Sequence, residues 1–225
     1  MFCLVFMELV AFPERKDGIF EHIELIDDII ATSSGSIGLY KDGKCTLTSP
    51  NMTLGNDDKT TDWCSNIINK NENEDGKIKP WISYRIKNKR MRSKGYAMRS
   101  GCCFYGCCCI DDSDLIDSDC CCSLYSYSIQ ISDDNRTWKT IQSVEEDKEF
   151  WDCTNRVHEF DKVEEFTFIR LVLDKQRPYC RNCFALNKFE VYGETIRDNG
   201  QYYESEDDND ESVSIIGKIN KNSQY

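Results

Sequence analysis

Between residues 31 and 193 the chain alternates apolar and polar side chains in short runs separated by polar turns. Tyr125, Tyr127, Ile129 and Ile131 alternate with Ser126, Ser128, Gln130 and Ser132, so an extended segment here has one greasy and one wet face. Asp133-Asp134-Asn135 then predicts a turn, because short polar side chains tolerate turn dihedrals, and Trp138 to Ile141 returns as the partner strand. The same two-residue period runs through Ile82, Tyr84 and Ile86, through Tyr96 and Met98, and through Thr167, Ile169, Leu171 and Leu173. A last run, Phe189-Glu190-Val191-Tyr192, stops at Gly193. Long helical periodicity is absent, so the pattern predicts several strands of five to eight residues in an antiparallel sandwich or barrel. Residues 18–30 fit a short helix or a strand equally well.

Composition sets the limits of that body. The chain has 225 residues and 26.2 kDa, enough for one domain with appendages, and 40% of its residues are hydrophobic. It has no apolar run long enough to span a bilayer. With 28 basic against 40 acidic residues its net charge is −12, which repels a phosphate backbone and argues against nucleic acid as the main partner. Residues 194–225 carry the run Glu204-Ser205-Glu206-Asp207-Asp208-Asn209-Asp210-Glu211, whose self-repulsion predicts a disordered acidic tail. Residues 1–30 form an N-terminal segment of undecided structure. Its first thirteen residues are mostly apolar, but Glu8 interrupts them and Arg15 and Lys16 come after them, the reverse of a secretion signal, so a cytoplasmic location is expected.

Several segments taken together resemble a known family. They are Asn66-Ile67-Ile68-Asn69, the strand from Pro80-Trp81 to Asn88-Lys89, Gly95-Tyr96-Ala97-Met98-Arg99-Ser100, the hairpin from Tyr127 to Trp138, Phe166-Thr167-Phe168-Ile169-Arg170-Leu171, and the closing Phe189-Glu190-Val191-Tyr192-Gly193. Their order resembles the discoidin domain, or coagulation-factor C-type domain, of the galactose-binding-like superfamily, and is closest to intracellular protist copies often found in BTB proteins. The resemblance covers residues 31–193 and implies an all-β, eight-stranded antiparallel jelly-roll sandwich. It also implies a non-enzymatic binding module, whose loops at one end take a carbohydrate or related polar ligand, or another protein. The alternative reading is an intracellular interaction adaptor.

By that correspondence three loops gather at the ligand end, at about residues 51–66, 68–80 and 100–123. Arg99 closes a strand at the start of the third, where sugar-binding relatives often carry an arginine; a surface ion pair is the plain alternative. Tyr105, Tyr179 and Phe184 lie in loops and offer an aromatic platform for a sugar ring, or else cover the rim of the core. Asp57 and Asp58 fall where some relatives hold calcium, although two acids without a fuller oxygen cage also read as solvated turn residues. Residues 85–99 contain seven Lys or Arg and no acid, which could attract anionic headgroups or nucleic acid but reads plainly as an outward face with a charged turn, or else as a surface for the acidic tail.

The fourteen cysteines cluster. Cys102, Cys103, Cys107, Cys108, Cys109, Cys120, Cys121 and Cys122 all fall in the third loop, an insertion absent from typical relatives. Neighbouring cysteines make poor disulfides with each other, which argues against a secreted disulfide framework. Thiolates bind zinc or copper, but these are contiguous runs rather than paired C-x2-C units. Acylation beside Phe104 and Ile110 would tether the loop to a membrane, the only membrane contact expected. A reduced low-complexity insertion is the remaining reading. Cys180-Arg181-Asn182-Cys183 is a C-x-x-C outside any thioredoxin-like unit, hence a chance pair unless the fold brings it to the third loop. His22 and His158 sit in unrelated segments and suggest no catalytic constellation.

Overall fold

The computed structural model describes residues 17–21, 28–41, 44–54, 62–68, 78–101, 122–150 and 154–197. Alternation produces the strands. Ile82, Tyr84 and Ile86 are buried on one side of β5 (Trp81–Ile86), while Tyr127, Ile129 and Ile131 are buried along β7 (Leu124–Ser132). These pair with β10 (Phe168–Gln176), with β1 (Ile29–Ser33) and β8 (Lys139–Val144) on the flanks, in the antiparallel order β1-β5-β10-β7-β8. A second layer runs β4-β11-β6-β9, from β4 (Trp63–Cys64), β11 (Ala185–Arg197), β6 (Lys89–Ser100) and β9 (Asn155–Phe166). The layers are joined at the tight β5–β6 turn through the pair Ile86↔Lys89. A small hairpin of β2 (Gly38–Lys41) and β3 (Lys44–Leu47) stands apart.

The layers pack face to face through aromatic rings. Tyr84 on β5 stacks on Phe189 of β11 at 4.8 Å and an interplanar angle of 5°, and Phe20 and Tyr96 close on the pair. The Thr53 hydroxyl donates to Pro50 O at 2.8 Å, which leaves the Tyr84 hydroxyl to donate to Thr53 Oγ1, also at 2.8 Å. Burial pushes the Tyr84 hydroxyl far above its ordinary pKa, so it stays neutral at any working pH.

The antiparallel all-β sandwich is therefore what forms, with eleven strands among the described residues rather than eight. Two of the differences have clear causes. β9 lacks a clean alternation, since Val157 and Val163 are exposed while His158 and Phe160 pack among inward-facing rings. It approaches β6 closely only because residue 95 is glycine, where a Cβ would meet the His158 carbonyl. β11 runs on past Gly193 to Arg197, so the strand expected to stop at Gly193 is bulged there and continues. Gly193 has φ +147, and a Cβ there would collide with the Arg92 carbonyl, which only glycine avoids. The segment 18–30, undecided in the sequence, is extended at Gly18, which bridges to Tyr192, and again in β1.

Three of the seven basic residues in the stretch 85–99 meet carboxylates of the sandwich. Arg90 meets Asp133 at 2.9 Å, Arg92 meets Glu165 at 2.7 Å and Glu194 at 3.2 Å, and Lys94 meets Asp17 at 2.6 Å. The hairpin turn expected at residues 133–135 is held by Asp134, whose carboxylate accepts N–H bonds from Thr137 and Arg136 and the Ser132 hydroxyl; these hold it far below the usual carboxylate range. Residues 1–16, 22–27 and 198–225, including His22 and the acidic run, lie outside the described residues.

Glu190 ties the N-terminal segment to β11. Only 6% exposed, it accepts N–H bonds from Phe20 (2.8 Å), Glu21 (3.0 Å) and Val191 (2.8 Å). Burial outweighs those donors and pushes it up to about 7. An acid raised in the folded state binds more protons folded than unfolded, so its contribution to stability falls as pH rises from about 4.5 to about 7. His158, lowered by burial, works in the opposite sense. Glu190→Gln is therefore expected to remove a loss of stability on the order of 2–3 kcal/mol between acid and neutral pH, read as the difference between wild-type and variant denaturant midpoints across pH 4 to 8.

Candidate functional site

β5, β7 and β11 start, and β6, β8 and β10 end, at the same end of the sandwich. The roots of the three expected loops meet there, joined by residues 145–150 and 177–184. Gly101 N–H donates to Ala185 O (3.2 Å), and Ala185 N–H donates to Cys122 O (3.0 Å), so both roots of the insertion 102–121 are fixed on one residue of β11. A disulfide between Cys122 and Cys183, with Cα atoms 4.8 Å apart, locks the same place. Cys64 is also disulfide-bonded, and it packs with Cys122, Cys183 and Ala185 in a buried patch covered by Ile37 and Ile67.

Beside this clamp Trp63 is fully buried, its Nε1–H donating to Ser36 Oγ at 2.8 Å and its ring meeting Phe184 edge-on at 5.1 Å. Asn187 Nδ2 donates to buried Asp62 at 2.6 Å, and the Asp62 carboxyl lies so close to Gly101 that a Cβ there would touch it. Arg177 joins the parts: its Nε–H donates to Ser123 Oγ, its terminal nitrogens donate to the Asp147 and Lys148 carbonyls, and it lies 5.3 Å from the Tyr125 ring. Asp147 is then fixed by a two-pronged pair with Arg156 at 2.9 Å. Burial opposes the Asp147 charge, but Arg156 holds the group below the usual carboxylate range.

Each site residue expected from the sequence has a definite place or lies outside the described residues. Arg99 is 1% exposed, on β6 between Lys188 and Asn155, so it faces protein and not solvent. Phe184 is core, packed on Trp63. Tyr179 is wholly exposed, at φ +68, on a turn closed by Cys180 N–H to Arg177 O (3.0 Å) and Gln176 Nε2–H to Cys180 O (2.8 Å). Of the eight cysteines offered as metal ligands only Cys122 is described, and bonded to Cys183 it offers no thiolate. The C-x-x-C is therefore not idle: Cys183 staples the last loop to the third, while Cys180 keeps a thiol. Tyr105, Asp57, Asp58 and the other seven cysteines lie outside the described residues. Among the described residues no group of three His, Cys, Asp or Glu side chains is arranged to hold a metal ion. His158 lies between the layers, its Nε2 at 3.2 Å from the Tyr127 hydroxyl and its Nδ1 at 3.4 Å from Gln142 Nε2.

No family model matches the sequence, and no curated protein matches it. Solved structures match by fold. The C-terminal domain of a chitobiase from Bacteroides fragilis has a TM-score of 0.52 at 12% identity, covering 80% of this chain and 100% of that one. CpGH89CBM32-5 of Clostridium perfringens, solved with GalNAc-β-1,3-galactose, has a TM-score of 0.49 at 10% identity, covering 74% of this chain and 96% of that one. The family 32 carbohydrate-binding module of C. perfringens NanJ, solved with galactose, has a TM-score of 0.47 at 10% identity, covering 74% and 94%. At such identity the likeness shows the fold alone, an antiparallel all-β sandwich.

The staple is directly checkable. Proteolysis of the unreduced protein with free thiols blocked is expected to yield one linked peptide joining Cys122 to Cys183, lost on reduction; recovery of both as blocked thiols contradicts it.

Proposed function

We propose that this chain is a non-catalytic carbohydrate-binding module that takes a sugar at the stapled end of the sandwich. The observation that carries this reading is Tyr179: a bare aromatic ring on a turn whose backbone is tied at two points, beside a cross-linked base. A fixed ring presents a flat apolar face to the apolar face of a pyranose at little entropic cost. Arg181, exposed two residues further on, supplies charged donors for the ring hydroxyls. Buried Arg99 acts from beneath, as a support of the end rather than a contact. The jelly-roll likeness agrees with this reading but does not choose the sugar.

The staple also bears on where the protein works. Cytosolic thiols are kept reduced, so a buried disulfide at the centre of the site favours an oxidising compartment over the cytoplasm expected from the N-terminal sequence. Among the described residues no helix is long and apolar enough to cross a membrane.

Calorimetric titration with galactose, glucose and N-acetylglucosamine tests the reading. At least one is expected to bind saturably, and Tyr179→Ala to weaken it about tenfold, or ~1.4 kcal/mol, with the unfolding midpoint unchanged. No saturable response to any of the three would leave the adaptor reading in its place.

A further inference from the structure

A second feature lies outside the loop end. The outward face of the five-stranded layer carries a trough of about 560 Å3 over β7 and β8. Its floor is made of small hydroxyl side chains: Ser126 and Ser128, only 6% and 3% exposed although they point away from the core, with Ser143 beside Ser128 and Thr140 beside Gln130 across the β7–β8 pair. Small residues at these positions leave the hollow.

The polar groups of the floor are already oriented. Arg170, lying on the Trp138 ring at 3.9 Å, donates Nε–H to Gln130 Oε1 at 2.7 Å. That fixes the amide so that Gln130 Nε2 faces Thr140 Oγ1 (3.3 Å) and Ser128 Oγ (3.5 Å). At the other end two ion pairs form the rim, Lys79 with Asp174 at 2.6 Å and Lys175 with Glu146 at 2.8 Å.

We propose that this trough is a second binding site, for the continuing chain of a neutral oligosaccharide. The reading rests on the carbohydrate function proposed above for its ligand class, but on different residues. Charge selects the class: two ammonium groups against three carboxylates (Glu145, Glu146, Asp174) line it, a net of −1, which favours neither a polyanion nor a polycation. Chemistry narrows it further. Val144 is the one apolar residue of the lining, and its side chain packs on the core, so an apolar peptide has nothing to bury, whereas hydroxyls and an amide both donate to and accept from sugar hydroxyls and carboxylates accept from them. Geometry supplies the direction. From Gln130 to Ser126 the floor extends ~13 Å along the strand, more than one sugar ring, and Lys79, Glu146 and Lys175 bring it to the end of the sandwich that bears the loops. A chain held by its terminal ring at the loop end has a polar path down the sheet face.

The test is an amide-resolved NMR titration of the full chain with galactose and, separately, with chitohexaose and cellohexaose. At least one hexasaccharide is expected to shift the amides of Ser128, Gln130 and Thr140, which galactose leaves in place. Gln130→Ala and Ser143→Trp, the latter at an exposed position, should each weaken that hexasaccharide response at least tenfold at unchanged thermal midpoint, whereas Tyr179→Ala should raise the hexasaccharide concentration needed but leave the trough shifts at saturation. Absence of shifts at these amides with both hexasaccharides, or indifference of the response to both trough variants, overturns the proposal. Hexasaccharide binding in the trough with no response to galactose, glucose or N-acetylglucosamine sinks the loop-end reading alone, and a response to one of these sugars without trough shifts sinks this one alone.

Discussion

The stack of Tyr84 on Phe189 is the contact on which the rest of this molecule depends. It joins the two layers at their middle, with ring centroids 4.8 Å apart, and recruits Phe20 from the N-terminal segment and Tyr96 from β6. Each such side chain contributes roughly 1.5–3 kcal/mol by leaving water, whereas among the described strands a single ladder pair, Ile86↔Lys89, joins the two layers. Side-chain packing more than strand pairing therefore keeps the two sheets in register. Everything at the loop end inherits its position from that register, because Ala185, which anchors both roots of the insertion, begins the same strand that carries Phe189.

The chemistry at that end follows from covalent closure. A long insertion between β6 and β7 would ordinarily leave its roots loosely placed. Here Gly101 and Cys122 are tied to Ala185 on either side, and Cys183 bonds Cys122 across 61 residues of chain. The turn bearing Tyr179 precedes Cys183 directly, so one staple orders both the insertion roots and the exposed aromatic. A ring held in this way has little freedom left to lose, which is what the proposed sugar site requires.

Much of the fold was legible in the sequence because its signal is local. β5, β7, β10 and the Asp134 turn follow from two-residue alternation and turn chemistry alone. β9 was not, since its inward residues, His158 and Phe160, are interleaved with charged side chains and its docking depends on a missing Cβ at Gly95. The site was legible only in outline. Arg99 and Phe184 sit in the expected region, yet both are buried, and no one-dimensional pattern tells a rim residue from one beneath it. The cysteine runs directed attention to neighbours in sequence, whereas the bond joins the last cysteine of the insertion to a C-x-x-C far along the chain. The trough was hidden in plain alternation: Ser126, Ser128 and Gln130 announce a polar face, but not its concavity.

Native-state amide hydrogen exchange tests the central claim most directly, because it reads whether the two layers open as one unit. If the aromatic interface binds them, the slowest amides of β5, β7 and β10 and those of β6 and β11, including Tyr84, Tyr127, Tyr96 and Phe189, share one opening free energy equal to that of global unfolding. Two separate values, one for each layer, would contradict the account.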